Sequence, residues 1–376
     1  MKNSEKLKIF VFSLFPVDGQ MKTGGQARLQ AFLGELYKSS ASVHHVCIFG
    51  NHPSIRQRTI LGGITETWIP AQNRKKISYL KKNFNSYSED AISGAFLEQN
   101  EHFIQFIKNQ IPLDSKLVAT HFWFAEPLKK ILNKNSIYFS HNHESDFLNN
   151  REHSSIYQDY YKKQEKQNCQ QFEHIFCCSK SDANKFAKVV AKEKISISRN
   201  GSNLKYSFFE KNKHQLNREC LFIGSHWGPN VEGLLNLLEN NKHFCKNVKI
   251  NCIGSVEKSF VDYPNEHITF HGILNPQQIY KIVQCCSFAI NPVLSGGGSN
   301  VKNADYLALG LPILSTDFGA KGFEEFDDYI ITYKIKNWND NFKFVYPDRT
   351  FADKLNWKNS LDNIISYVLT PNTKIK

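Results

Sequence analysis

Long apolar runs are missing from this chain of 376 residues. None reaches the roughly 18 consecutive apolar residues that a membrane-spanning helix needs, so no such helix is predicted. The opening segment, MKNSEKLKIFVFSLFPVDGQ, lacks a small-residue cleavage site, and Pro16 and Asp18 interrupt its apolar stretch early. It reads as a first buried strand, not as a signal peptide. C-x-x-C is absent too. The nine cysteines are odd in number, and most lie inside apolar runs such as VCIF, IFCC, CLFI and INCI. Neighbours on a strand point to opposite faces, so the pairs Cys177/Cys178 and Cys285/Cys286 make poor chelators. Buried free thiols in a reducing cytosol are the expectation. Neither half carries G-x-G-x-x-G, which argues against an ordinary nicotinamide dehydrogenase. Acid is in deficit, with 35 Asp+Glu against 47 Lys+Arg and a net charge of +12. That sign suits nucleic acid, an anionic membrane surface or a phosphorylated substrate. Zinc-finger spacing, an aromatic-rich RNA-binding signature and internal repeats are all lacking, so nucleic acid is not an expected partner.

What is present is alternation. LKIFVF reads as a buried strand, and QARLQAFLGELYK follows with Leu29, Phe32, Leu33, Leu36 and Tyr37 on one helical face. VHHVCIF, SIYFS, HIFCC and KISIS are further strands between polar or helical segments. The pattern restarts at ECLFIGS, where Pro229 suits a first helical turn, and continues through VKINCIGS, ITFHG, SFAINP, PILST and YIIT. Asn275 is a plausible cap for PQQIYKIVQ. Strands alternating with helices predict parallel sheets covered on both faces. The length favours two domains. The predicted division is 1–200, 201–350 and a C-terminal helix, 351–376, for which a return onto the first half is one option; the polar stretch near Asn200–Asn217 marks the crossover. Ligands of such sheets bind beyond the carboxyl ends of the strands, and the cleft between two such domains is the expected site.

LSGGGSNVKNADYLALGLP, Leu294–Pro312, sits at one such strand end. Bare backbone at Gly296, Gly297 and Gly298 lets several amides converge on an anion. The N-terminus of the helix that follows adds about half a positive charge. Lys302 in the first turn opposes the helix dipole, a mismatch that a bound phosphate would repair. A flexible turn with a solvated lysine explains this stretch equally well.

GGGSNVKNADYLALGLPILSTDFGAKG resembles the nucleotide-sugar site of retaining family-4 glycosyltransferases (glycosyl transferases group 1) of GT-B fold. Five further segments match in order: GGQARLQAF, SHNHES, FCCSKSDANKF, RNGSN and FIGSHWGPNVEGL. The resemblance spans about Lys8 to Lys321 and implies an α/β chain of GT-B type, two Rossmann-like doubly wound domains facing an interdomain cleft. It implies that Lys302 neutralises the donor diphosphate, with Gly297, Gly298, Ser299 and Asn300 hydrogen-bonding it through their amides. Gly24 and Gly25 would face the diphosphate from the other domain, Asp305 would hold the ribose, and His141 would meet the transferred sugar. His143, Ser225, His226, Asn230 and Asn200 are further donor-site candidates. The implied substrates are a nucleotide-diphosphate sugar and a glycan or lipid-linked acceptor of bacterial-type surface polysaccharide synthesis. No cofactor and no metal are implied. His141, His143, Glu144 and Asp146 offer metal-ligand chemistry, but a polar loop with one substrate-contacting histidine is preferred.

Two departures stand out. The family motif has two glutamates separated by seven residues, and here those positions hold Gly297 and Asp305. The loop GSHWGPN also lacks the usual arginine and the lysine after it, leaving more of the diphosphate charge to Lys302. A Gly-rich subgroup of the family shares this variant. Arg74, Lys75, Lys76, Lys81 and Lys82, interleaved with Ile77, Tyr79, Leu80 and Phe84, suggest a basic amphipathic helix. Such a patch suits peripheral contact with an anionic membrane from the cytoplasmic side; a solvated loop is the alternative. Rival functions on the same scaffold are a nucleotide-sugar epimerase and a catalytically silent glycan- or nucleotide-binding module.

Overall fold

The computed structural model describes residues 6–17, 23–50, 52–71, 73–84, 87–149, 153–207, 218–263, 267–338 and 342–370. Asp18 and the later part of the polar crossover, 208–217, lie outside the described residues. The chain divides into two compact units: one runs to Arg199 and resumes at Leu361, and the other is Asn200–Ser360.

In the first unit, eight strands form one sheet: β1 (Lys8–Ser13), β2 (Ser42–Ile48), β3 (Arg56–Ile60), β4 (Ile64–Ile69), β5 (Lys116–Ala119), β6 (Ile137–Phe139), β7 (His174–Cys177) and β8 (Ile195–Ile197). Their order is β3-β4-β2-β1-β5-β6-β7-β8. Only β3, on the edge, runs antiparallel to its neighbour. β3, β4 and β5 were not expected from the sequence. β3 is largely exposed and polar, β4 buries Glu66 and Thr67 where apolar residues signal a strand, and β5 spans only four residues.

The second unit is a six-stranded sheet: β9 (Glu219–Ile223), β10 (Lys249–Ile253), β11 (Ile268–Phe270), β12 (Phe288–Asn291), β13 (Ile313–Ser315) and β14 (Ile330–Thr332). All pairings are parallel, in the order β11-β10-β9-β12-β13-β14. Alternate residues of one strand serve opposite cores. Cys220, Phe222, Phe288, Ile290 and Leu314 enter one cluster, and Leu221, Ala289 and Ile313 enter the other. Helices therefore cover both faces, which is why these strands read as continuous apolar runs. All described cysteines are free thiols, and all but Cys285 are buried.

The local signals hold where they were strongest. Asn275 caps the Pro276–Val283 helix in a capping box with Gln278, and Pro229 lies in the first turn of the Gly228–Asn240 helix. The C-terminal stretch forms two helices, Thr350–Lys354 and Trp357–Leu369. Asn356 interrupts them and accepts from the Asn359 amide at 2.8 Å. Among the described residues no helix is long and apolar enough to cross a membrane.

Strand order reverses between β1 and β5 in the first sheet and between β9 and β12 in the second. In open parallel sheets the carboxyl ends at such reversals are where ligands bind. Gly24 and Gly25 follow β1, and residues 296–302 follow β12.

Candidate functional site

At the second reversal, β12 leads through Pro292–Ser299 into the Val301–Leu309 helix. Gly296 has φ +123° and Gly298 has φ +65°, values that side-chain-bearing residues rarely adopt. A Cβ on Gly296 would also lie 2.9 Å from the Trp227 ring, so these glycines set the path of the loop. The loop is strapped from behind by Asn200, whose amide donates to the Ser299 carbonyl at 3.0 Å and to Ser299 Oγ at 2.7 Å. Asn200 is thus a strut for the glycine loop, with its amide nitrogen already engaged, rather than an open donor-site group.

The helix that follows has an uncapped positive end. Asn300 precedes it, yet its side chain donates to the Gly319 carbonyl at 3.1 Å instead of accepting from the first turn. No acid lies in that first turn. The Asn303 amide closes back onto the Asn300 carbonyl at 3.1 Å, and no side chain caps the amides ahead of it. Tyr306 lies on the core side, where its hydroxyl accepts from the Ile223 amide at 2.7 Å and locks the helix to the end of β9.

Lys302 is one turn earlier on the same side and is therefore buried, 9% exposed, not solvated. Its Nζ donates to Asn230 Oδ1 at 2.6 Å and lies 4.6 Å from the centre of the Phe222 ring. The Asn230 amide in turn donates to the Ser225 carbonyl at 3.1 Å. Among the described residues no carboxylate pairs with Lys302. Burial lowers its pKa to about 7, with Cys252 opposing weakly. An ammonium held without a counter-ion is poised for an incoming anion.

Asp305 is half-buried and accepts from Ser202 Oγ at 2.6 Å. Burial raises its pKa to about 7, and the Ser202 bond offsets only part of that shift. The structure thus brings together Gly297, Gly298, Ser299, Asn300, Lys302, Asn230 and Ser225 on one side of the second sheet. His226 is exposed, with its backbone amide on Ser255 Oγ at 2.9 Å. A separate groove of about 580 Å³ on this unit includes Asn236, Thr316 and Tyr333, and none of the predicted donor residues lines it.

One strand beyond the first reversal, His141 follows β6, the neighbour of β5. Its ring lies 5.6 Å from Phe15, 5.8 Å from His121 and 6.2 Å from Phe139, centre to centre. A Cβ on Gly25 would stand 3.8 Å from its Cγ, so the glycine of the Gly24–Lys38 helix makes room beside it. Both ring nitrogens are buried, and among the described residues neither has a hydrogen-bond partner. Burial, with His121 and Arg28 nearby, drives its pKa well below the usual histidine value. His141 is therefore a neutral imidazole with a free donor and a free acceptor.

His143 belongs to a different cluster. Burial lowers its pKa, but Asp146 at 3.6 Å and Glu165 at 3.7 Å outweigh that and raise it. Asp146 also pairs with Lys185. Glu165 accepts from the Glu144 amide at 2.7 Å and the Ser145 amide at 2.9 Å, which fixes the start of the Glu144–Asn149 helix. His143 is thus committed to a structural ion cluster rather than to His141. Among the described residues no three His, Cys, Asp or Glu side chains are arranged to hold a metal.

The basic patch needs one correction. Lys75, Lys81 and Lys82 are exposed on the Asn73–Asn83 helix, but Lys76 is 4% exposed and donates to the Ser93 carbonyl at 3.0 Å. It falls four residues before Leu80 and eight before Phe84, on the stripe that faces the core. Burial lowers its pKa to about 8, against a smaller opposing effect of Glu98. The side chain of Arg74 lies outside the described residues.

Sequence reading missed one group altogether: Ser13, His45 and Glu66, each fully buried in the first sheet. Their only signal was a charge inside the β-rich run ITETWI.

Residues 217–337 match the family model described as glycosyl transferases group 1. No curated protein matches the sequence. Solved structures are similar over nearly the whole chain at low identity. Sucrose-phosphate synthase from Thermosynechococcus elongatus is 12% identical with a TM-score of 0.64, covering 97% of this chain and 95% of that one. An alpha,alpha-trehalose-phosphate synthase (UDP-forming) from Burkholderia vietnamiensis is 10% identical with a TM-score of 0.63, covering 96% and 98%. One from Burkholderia xenovorans, solved in complex with glucose-6-phosphate, is 11% identical with a TM-score of 0.61, covering 97% and 100%. Residues 217–337 thus carry a glycosyl transferases group 1 segment on the second sheet, and the chain has the GT-B type of fold, two parallel-sheet α/β domains, of these proteins.

Proposed function

We propose that the protein is a retaining glycosyltransferase that moves a hexosyl or N-acetylhexosaminyl group from a nucleotide-diphosphate sugar to a glycan or lipid-linked acceptor. The observation that carries this is Lys302: a buried ammonium with no carboxylate partner among the described residues, beside an uncapped helix N-terminus and a glycine loop. Breaking the bond from the anomeric carbon to the diphosphate leaves negative charge on the departing phosphate. Fixed positive groups stabilise that charge most effectively, because they need not reorganise as it forms. Lys302 and the amides at Gly297–Asn300 are such groups. Asp305 accepts from the ribose hydroxyls. Neutral His141 hydrogen-bonds the transferred sugar through its open ring nitrogens. Attack from the face the phosphate leaves retains configuration, and the leaving phosphate takes the acceptor's proton. The Gly24 and Gly25 amides serve the diphosphate in this reading, and Lys75, Lys81 and Lys82 meet an anionic membrane carrying the acceptor. The setting proposed is the cytoplasmic face of a bacterial-type membrane, in surface polysaccharide synthesis, with no metal or cofactor beyond the donor.

A thermal-shift panel of UDP, GDP, CDP and dTDP sugars tests the reading, because a ligand that binds only the folded state raises Tm. One nucleotide class is expected to raise Tm, and Lys302→Ala is expected to abolish the shift and cut kcat/KM by about 10²–10³-fold. A nucleotide shift that survives Lys302→Ala intact would sink the diphosphate assignment.

A further inference from the structure

Ser13, His45 and Glu66 form a continuous chain of hydrogen bonds inside the first unit. Strand register puts them in one row: His45 on β2 lies opposite Glu66 on β4, and Glu66 lies opposite Arg58 on β3. Ser13 ends β1, two residues beyond the partner of His45. His45 Nε2 is 2.7 Å from Ser13 Oγ, and His45 Nδ1 is 2.8 Å from Glu66 Oε2. Arg58 Nε and Trp68 Nε1 donate to Glu66 Oε1, each at 2.7 Å. Serine, histidine and carboxylate stand in the order of a hydrolase triad. Ser13 is nonetheless no nucleophile: it is wholly buried, and its hydroxyl donates to the Phe15 carbonyl at 2.6 Å. The far end reaches the same loop, because the Val17 amide donates to Glu66 Oε2 at 2.9 Å. Two backbone points of the segment after β1 are thus tied to buried strands.

Between those two ties and their neighbours lies Phe15. Its ring meets His121 edge-on at 5.3 Å and lies over His141 at 5.6 Å. His121 is itself held by Thr120 Oγ1 at 2.9 Å. A Cβ on Gly25 would touch Phe15 Cζ at 3.4 Å. Because the His141 nitrogens make no hydrogen bond among the described residues, only ring packing orients that imidazole. We propose that Ser13, His45 and Glu66 form a positioning strut that fixes Phe15 and, through it, the orientation of His141. This rests on the reading that His141 meets the transferred sugar. Ser13, Phe15, His45 and Glu66 act through another residue and are positioning residues.

The test uses the full chain labelled with ¹⁵N-histidine, with UDP-glucose, UDP-N-acetylglucosamine and GDP-mannose as donor probes. Ser13→Ala and Phe15→Leu remove one hydroxyl and one ring without stranding a charge; Glu66→Gln tests the far end. The expected result is a shifted His141 ring resonance in all three variants. On any donor turned over, kcat falls about 10–100-fold, the scale of a small misplacement, while donor KM changes less than twofold. An unmoved His141 resonance in both Ser13→Ala and Phe15→Leu overturns the strut, whatever the rates do. A rise in donor KM in place of the fall in kcat overturns it as well. If the resonance moves but His141→Ala keeps full turnover, the strut stands and the functional reading of His141 falls.

Discussion

Lys302 and Asp305 are three residues apart on one helix and are pushed in opposite directions by the same cause. Burial disfavours the charged form of each, so both are brought to about 7. The consequences for stability have opposite signs. Asp305 has a raised folded-state pKa, so its contribution is present at acid pH and is lost as pH rises from the ordinary carboxylate value through about 7. Lys302 has a lowered one, so its contribution is present at alkaline pH and is lost as pH falls from about 10.5 to about 7. Together they place a trough in the pH–stability curve of the unliganded protein near neutrality. Urea midpoints between pH 5 and pH 9 check this: Asp305→Asn should flatten the acid limb and Lys302→Met the alkaline limb. A wild-type limb that persists unchanged in its variant contradicts the assigned shift. A diphosphate should also pull a proton onto Lys302. Calorimetry at pH 8 in buffers of different ionisation enthalpy is expected to show uptake of up to about one proton, lost in Lys302→Met.

At the level of elements, the Asn73–Asn83 helix separates two jobs that look alike in sequence. Helical geometry turns Lys75, Lys81 and Lys82 outward and puts Lys76 on the stripe with Leu80 and Phe84. Flotation with vesicles of anionic lipid should report the difference. Lys75→Glu/Lys81→Glu/Lys82→Glu is expected to abolish binding with Tm unchanged, whereas Lys76→Glu is expected to lower Tm because it buries a carboxylate where the lysine donated to the Ser93 carbonyl. Equal binding by the triple variant and wild type would remove the membrane role. The Val301–Leu309 helix was legible in another way. Its glycines and lysine were visible, but two explanations stood level until burial removed the solvated one.

Over the whole molecule, each unit closes its own cores. The apolar cluster around Phe12, Phe103 and Phe124 uses first-unit residues, and the two clusters flanking the second sheet use residues within Asn200–Ser360. Chains with separate cores need not unfold in one step. Differential scanning calorimetry is expected to resolve two transitions, with a bound nucleotide raising that of the second unit the more. Leu314→Ala, a fully buried change in the second unit, should lower that same transition by about 2–5 kcal/mol. A nucleotide and Leu314→Ala acting on different transitions would contradict the placement of the donor site.

Local signals sufficed for the alternation of strand and helix, the buried thiols, the Asn275 cap and the glycine-to-helix segment, because each rests on spacing or on backbone chemistry within a few residues. β3, β4 and β5 escaped because an edge strand, a strand with a buried acid and a very short strand carry no apolar pattern of their own. The rest depended on residues distant in sequence. Lys302 meets Asn230 across 72 positions and Asn200 meets Ser299 across 99. Ser13, His45 and Glu66 come from three strands brought together only by sheet register. Whether a charge is solvated, paired or stranded depends on which strands lie side by side, and a pattern confined to neighbouring residues carries no record of that order.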